Sequence, residues 1–335
     1  MVNLALIGAG AWGQNLVRTF LHLRGADLKV VCDSDLAKCA SALNGAHGVK
    51  TTPDANDVFS DPSIEAVVVA SSAPTHFDLA RRAILAGKDV LVEKPMTLSV
   101  ADARELVELA EAERRVLMVG HLLIYHPAVR KMRELVKDGE VGDTYYLYSE
   151  RVNLGKIRSD ENALWSFAPH DVSIALYVLD DDPVEVAAVG AAYLQPGIED
   201  VAFMYMRFGD GRLAQVHVSW LDPHKIRRTT LVGSRKMIVF DDMEPAEKIR
   251  IYDRGAEPNG KYVGYSESFT LRFGEVTAPV FEMKEPLKIE CAHFVECVES
   301  RAKPDTDGRD GLRVVQVLDA AQRSIKSGGR AVKLE

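Results

Sequence analysis

The sequence has little of what disulfide-stapled or metal-built folds need. It holds four cysteines in 335 residues, too few for a disulfide scaffold at this size. Cys32, Cys39, Cys291 and Cys297 form no C-x-x-C pair, so zinc has poor support. Cys291, His293 and Cys297 bring ligand types together. On a helix, however, a six-residue step puts the two thiols on different faces. Buried free thiols are the expectation, with no metal. No apolar run approaches the roughly 18 residues of a membrane span. The start, Met1-Val2-Asn3, lacks the basic region of an export signal, so the chain reads as cytoplasmic. An excess of basic charge is also missing: 41 Lys and Arg stand against 49 Asp and Glu, for a net −8. That excludes a general nucleic-acid or anionic-membrane surface, because both need a positive field. A local basic pocket for one phosphorylated ligand stays open. With 47% hydrophobic residues and 27% charged, the chain is not a disordered one.

What is present is a change of pattern part-way along. Up to about residue 120, short apolar runs alternate with amphipathic helical stretches. Strands are expected at 4–7, 28–32, 66–70, 89–92 and 116–119, with helices between. Apolar strands separated by helices indicate a parallel sheet covered on both faces, and right-handed crossovers make it doubly wound. After a helix at 127–137 the chain turns to strand-like segments near 144–153, 184–194, 199–208, 212–221 and 226–240. Gly209-Asp210-Gly211 is hairpin chemistry. The second half is therefore α+β with a large, mainly antiparallel open sheet. Helices near 287–300 and 309–327 close the chain, with Gly328-Gly329 as the stop. The expected division is a doubly wound domain over 1–122 and an open-sheet domain over 123–335, its last helix packing back on the first. Alternating apolar residues (Val201, Phe203, Tyr205 and Val216, Val218, Trp220) suggest a sheet face covered by another subunit, giving a homodimer or homotetramer.

Gly8-Ala9-Gly10-Ala11-Trp12-Gly13 is G-x-G-x-x-G between a strand and a helix. Gly8 permits the tight turn, Gly10 lets backbone approach a pyrophosphate, and Gly13 allows close helix–sheet packing. The helix N-terminus offers N–H groups and a positive dipole end. Asp33 ends the second strand, where a carboxylate accepts ribose hydroxyls and repels a 2′-phosphate. Ser34 follows it, with no arginine, so NAD is expected over NADP. The bland alternative for Asp33 is a helix N-cap, a role open also to Ser34 or Asp35.

This fingerprint, Glu93-Lys94-Pro95 at a strand end and a histidine beyond residue 160 together resemble one family over essentially the whole chain. It is the glucose–fructose oxidoreductase / inositol dehydrogenase / rhizopine catabolism (Gfo/Idh/MocA) family. The resemblance implies a Rossmann domain followed by an open-sheet domain, and oxidation or reduction of one carbinol of a sugar, cyclitol or nucleotide-sugar. It implies that Ser71, Ser72 and His76 lie near the nicotinamide, with a cap or packing role as the alternative for His76. It implies that Glu93 and Lys94 border the cofactor, Lys94 reaching the substrate hydroxyl. His170, in Leu164–Ser173, takes the catalytic histidine position. Ser166 and Ser173 replace family aspartates, and Leu122 and Ile124 stand where asparagine and arginine are frequent.

Alcohol oxidation needs a base for the hydroxyl proton while hydride leaves the carbon. Histidine titrates in the right range, and a lysine stabilises charge growing on the oxygen. His170 is expected as the acid/base and Lys94 as its electrophilic partner, or the reverse. Between them in sequence, 150–165 is polar: Asn153 and Asn162 suit hydroxyls, Trp165 suits stacking, and Arg151, Lys156 and Arg158 suit a diphosphate. A solvated loop is the alternative. His224–Arg228 is a second basic cluster, of which at most one arginine faces a site. The segment 150–165, with Glu285-Pro286-Leu287 and Gly311-Leu312-Arg313-Val314-Val315, is similar to the nucleotide-sugar 3-dehydrogenase branch of the family, and that resemblance implies NAD-dependent dehydrogenation at C3 of a UDP-linked amino sugar or its uronate. A free-sugar or inositol dehydrogenase and a catalytically silent NAD-binding sensor are the competing readings.

Overall fold

The structure, a computed structural model, describes residues 1–258 and 269–334. Its chain contacts divide it into two compact units, Met1–Tyr125 with Lys284–Asp319, and His126–Met283 with Ala320–Glu335.

In the first unit six parallel strands are β1 (Val2–Ile7), β2 (Ala26–Cys32), β3 (Lys50–Thr52), β4 (Ala66–Val69), β5 (Asp89–Glu93) and β6 (Leu117–Gly120). Their order is β3-β2-β1-β4-β5-β6, the doubly wound nucleotide-binding order. β4, β5 and β6 are buried along their whole length, which explains why they read as unbroken apolar runs. β3 is a short edge strand with two exposed residues, and it left no such signal. The crossover helices include α1 (Ala11–Leu21), α2 (Leu36–Leu43), α4 (His76–Leu85) and α5 (Val100–Ala112), with a short α3 (Ala55–Ser60).

The boundary is not a single cut at 122. Residues 284–319 belong to the first unit. Within it, α8 (Pro286–Ser300) packs on α1, on β1 and on the 3-10 turn Leu122–Tyr125. Thr306 joins the edge of β6, its carbonyl accepting the Val119 amide at 2.8 Å. Such long-range contacts carry no local sequence signal. The division falls within α9 (Gly308–Lys326).

The second unit forms, among the described residues, a nine-stranded sheet ordered β14-β13-β12-β11-β7-β10-β9-β8-β15. Its members are β7 (Thr144–Val152), β8 (Pro183–Ala191), β9 (Val201–Phe208), β10 (Leu213–Ser219), β11 (Ile226–Gly233), β12 (Met237–Asp241), β13 (Ile249–Pro258), β14 (Phe269–Thr277) and β15 (Val332–Lys333). The β7–β10 pair is parallel and the others are antiparallel. The expected segment 226–240 is thus a hairpin of two strands. Helices α6 (Pro127–Lys137) and α7 (Ala163–Leu179) pack on this sheet.

One sequence expectation is corrected here. Val216 and Val218 pair with Met204 and Ala202 and are buried with Trp220. Phe203 and Tyr205 point the other way and are exposed. Directly opposed residues share a face, so the two apolar sets belong to opposite faces. Trp220 closes the inner one by donating its indole N–H to Asp200 Oδ1 at 2.5 Å.

Candidate active site

The first unit assembles the cofactor cradle at the C-terminal ends of its strands. Gly8 has φ +103°, and a Cβ there would lie 2.5 Å from the backbone of Ala70 and Ser71. A Cβ on Gly13 would lie 1.9 Å from the Gly8 carbonyl oxygen. Both positions therefore exclude a side chain. Gly10 differs, since a Cβ there meets no protein atom within 4 Å. It is the N-cap of α1 and supplies no side-chain hydrogen bond. The first-turn amides are thus left for an anion.

Asp33 is tied to this loop. Its Oδ2 accepts the Ala9 amide and its Oδ1 the Asp35 amide, both at 2.9 Å. Asp35, not Asp33, caps α2 by accepting the Ala37 amide. Ser34 is exposed. These residues fit NAD: an open glycine, an uncapped helix end and a carboxylate held at the neighbouring strand end.

Beyond β4, Ser71 Oγ meets Thr75 Oγ1 at 2.6 Å, and the Ser72 carbonyl accepts the Thr75 amide at 2.9 Å. His76 is buried, with Nδ1 2.8 Å from the Pro95 carbonyl and Nε2 3.1 Å from that of Ser71. The ring clamps the 71–76 loop to the loop after β5. There Trp12 donates its indole N–H to Glu93 Oε1 at 2.5 Å, and the Lys94 amide donates to Glu93 Oε2 at 3.3 Å. Burial raises the Glu93 carboxyl above its ordinary range, opposed by the Trp12 bond and the Lys94 charge. His121, buried just past β6, is pushed down to about 3, first by burial and then by the Lys94 charge.

In the second unit α7 carries His170. Its N-cap Asn162 accepts the Trp165 amide at 3.0 Å and donates to Glu199 and Gln322 at 2.5 and 2.8 Å. Asp171 is fully buried and forked by Arg151, through Nε at 2.6 Å and Nη2 at 3.2 Å, with Ser149 Oγ donating at 2.5 Å. This fork fixes α7 on the end of β7 one residue from His170. Ser173 Oγ donates to the His170 carbonyl at 2.9 Å, and Ser166 is buried.

Two family models match the sequence: the oxidoreductase family with an NAD-binding Rossmann fold over residues 2–121, and the GFO/IDH/MocA C-terminal domain over 129–239. The chain belongs to the Gfo/Idh/MocA oxidoreductase family. It is 29% identical to the inositol 2-dehydrogenase of Acidothermus cellulolyticus, over 97% of this chain and 93% of that one. A solved structure described as an oxidoreductase from Magnetospirillum magnetotacticum is 30% identical, with TM-score 0.82 over 96% of this chain and 99% of that one. The UDP-N-acetylglucosamine 3-dehydrogenase of Acidithiobacillus ferrooxidans shares the fold at 23% identity and TM-score 0.80, over 97% of each chain.

As a Gfo/Idh/MocA oxidoreductase, the chain is an NAD-binding dehydrogenase acting on CH–OH groups. The structure brings together Gly8, Gly10, Ala11, Trp12, Gly13, Asp33, Ser71, His76, Glu93 and Lys94 within the first unit, and Ser34 stands exposed beside Asp33. The polar segment of the second unit differs from expectation. Arg151 is committed to Asp171, and the amide and carbonyl of Asn162 are both spent on capping and on Glu199 and Gln322. Arg158 pairs with Glu161 at 2.8 Å, Arg227 with Asp242 at 3.5 Å and Arg228 with Asp241 at 2.9 Å. Asn153 and Trp165 are half-buried. Sequence reasoning missed the Trp12–Glu93 bond, the Asp171 fork and His121. The first two join residues 81 and 20 positions apart, so that the segments could be singled out without the contacts between them, and His121 follows the end of β6 with no local signal of its burial.

Among the described residues no group of three His, Cys, Asp or Glu is placed to hold a metal. The four cysteines are free and buried. No helix among the described residues is long and apolar enough to cross a membrane.

Proposed function

We propose that this enzyme oxidises one secondary carbinol of a polyhydroxylated ring, a sugar or cyclitol, with NAD. When bound, NAD takes the hydride from the carbinol carbon. His170 accepts the hydroxyl proton, and the Lys94 ammonium stabilises the charge that develops on that oxygen. Asp171, held by Arg151 and Ser149, keeps α7 in place and so sets the position of His170. Ser166 and Trp165 lie on the same first turns of α7 and are assigned to the substrate with Asn153.

The observation that carries this reading is the intact Glu93-Lys94-Pro95 end of β5 in a family whose two models span both units. The arginine pairings support a substrate without a diphosphate. A UDP-linked amino sugar oxidised at C3 is the second reading. Lys156 and Lys225 support it, being exposed with no carboxylate partner among the described residues. A panel of inositols, free sugars and UDP-sugars with NAD, followed by nicotinamide absorbance, separates them. Reduction by free polyols supports the first, and reduction by UDP-sugars alone supports the second. Tight NAD binding with no turnover on any member would mean a sensor.

We also assign the exposed face of β9, β10 and β7 to a second copy of the chain in a homodimer or homotetramer. Tyr205, Phe203, Tyr146 and Tyr148 lie there, from 37 to 54% exposed. Light scattering of the full chain tests it. A monomer at micromolar concentration would contradict the assignment.

A further inference from the structure

Helix α8 presents one apolar stripe to the first unit: Leu287, Cys291, Phe294 and Val298. Glu290 stands on the same stripe and is completely buried. Among the described residues neither of its carboxyl oxygens has a hydrogen-bond partner. An ionised carboxylate so placed costs several kcal/mol, so the group keeps a proton instead. The titratable groups on or beside the elements packed against α8 are few, among them Tyr125 of the Leu122–Tyr125 turn, whose hydroxyl meets Thr306 Oγ1 at 3.0 Å. Glu93 and Lys94 end β5, His121 follows β6 with both ring nitrogens buried and unpartnered, and Cys291 is its helix neighbour. From α1 comes the Trp12 indole, with Arg18 exposed, and β1 brings no ionisable side chain.

Glu93 is the second carboxyl of this cluster. Burial raises both acids, and the charge of Glu93 raises Glu290 further. Their surroundings are unequal. Glu93 receives the Trp12 indole and the Lys94 amide, whereas Glu290 receives nothing. Two such carboxyls divide one proton according to who has donors.

We propose that Glu290 is a positioning residue for Lys94: it stands behind Glu93 as a neutral acid, so that the single negative charge of the pair stays on Glu93, beside Lys94. Were Glu290 to ionise, Glu93 would take the proton, and the charge next to Lys94 would move into the core. The inference rests on the proposed role of Lys94.

The test is infrared difference spectroscopy on the full-length protein at neutral pH. The expected result is a protonated-carboxyl carbonyl band that shifts in D2O and disappears in Glu290→Gln. Glu290→Gln, which keeps shape and neutrality, should also be more heat-stable than the wild type, by a margin that grows with pH. It should leave the alkaline limb of the pH–rate profile in place, while Glu93→Gln moves that limb to lower pH. No such band in the wild type, or a band that persists in Glu290→Gln, overturns the proposal. So does a Glu290→Gln limb that moves as Glu93→Gln does. Glu290→Met serves for the band if the glutamine variant does not fold. If Lys94→Met keeps full turnover while the band is present, the role of Lys94 fails and the neutral acid stands.

Discussion

The two units treat charge differently. In the first, ionisable groups lie where burial is deepest: Glu93, Glu290 and His121 are each less than a tenth exposed, and the Lys94 charge acts on Glu93 and on His121. In the second, each arginine of the polar segments has met a carboxylate: Arg151 with Asp171, Arg158 with Glu161, Arg227 with Asp242 and Arg228 with Asp241. Buried ionisable groups beside a reacting centre are poised for chemistry. Groups in closed pairs mostly hold the fold.

The sharpest break of this comparison lies in the glycine loop. Gly13→Ala forces a Cβ onto the Gly8 carbonyl, and we expect a loss of about 5 kcal/mol of stability together with NAD binding. Gly10→Ala is its control. Its Cβ meets no protein atom, so stability should stay within about 1 kcal/mol while NAD affinity falls. Calorimetric titration with NAD and urea unfolding of both variants check this pair.

Next comes the Arg151–Asp171 fork. Asp171→Asn leaves Arg151 buried beside a neutral group, and breaking such a pair costs about 3 kcal/mol or more. Urea midpoints should drop accordingly. If Arg151 were instead a phosphate ligand, Arg151→Met would keep its midpoint and raise the substrate KM.

His126 gives a smaller, pH-dependent effect. It caps α6 by accepting the Ala128 amide at 3.1 Å and packs on Phe240. Burial pushes it down from 6.5 to about 4. A depressed folded value means that the unfolded chain binds the extra proton. Its stabilisation is therefore present above the ordinary histidine range and lost as pH falls from about 6.5 toward about 4. His126→Asn keeps a capping acceptor and should flatten that acid loss, on the order of 3 kcal/mol across the window. The smallest effect is expected at the exposed pairs. Arg227→Gln should change stability by less than about 1 kcal/mol and leave turnover alone, unless a nucleotide-sugar is bound there.

These contrasts also explain what was legible in the sequence. The Rossmann half was readable because β4, β5 and β6 are buried on both faces and so are written as apolar runs, and because Gly8 and Gly13 are forced by backbone approach. His170 stands out in the sequence by its place in a motif, and its role is the proposal made above. The fork on Asp171 was not, since it depends on β7 and α7 meeting. Nor was the membership of 284–319 in the first unit, which rests on packing between segments more than 150 residues apart. Glu290 did leave a trace: an acid on the apolar stripe of an otherwise amphipathic helix. The outer and inner sheet faces were confused because alternation shows that two sets of residues each share a face, without showing that it is the same face for both strands.

The most direct measurement of the central claim follows a label. A polyol that reduces NAD in the panel is prepared with deuterium on its carbinol carbon and mixed with excess enzyme and NAD in a single turnover. Transfer of the deuterium to the nicotinamide is predicted, slowed roughly 10²–10⁴-fold in His170→Gln with NAD affinity unchanged. Deuterium transfer at the wild-type rate in His170→Gln would contradict the account.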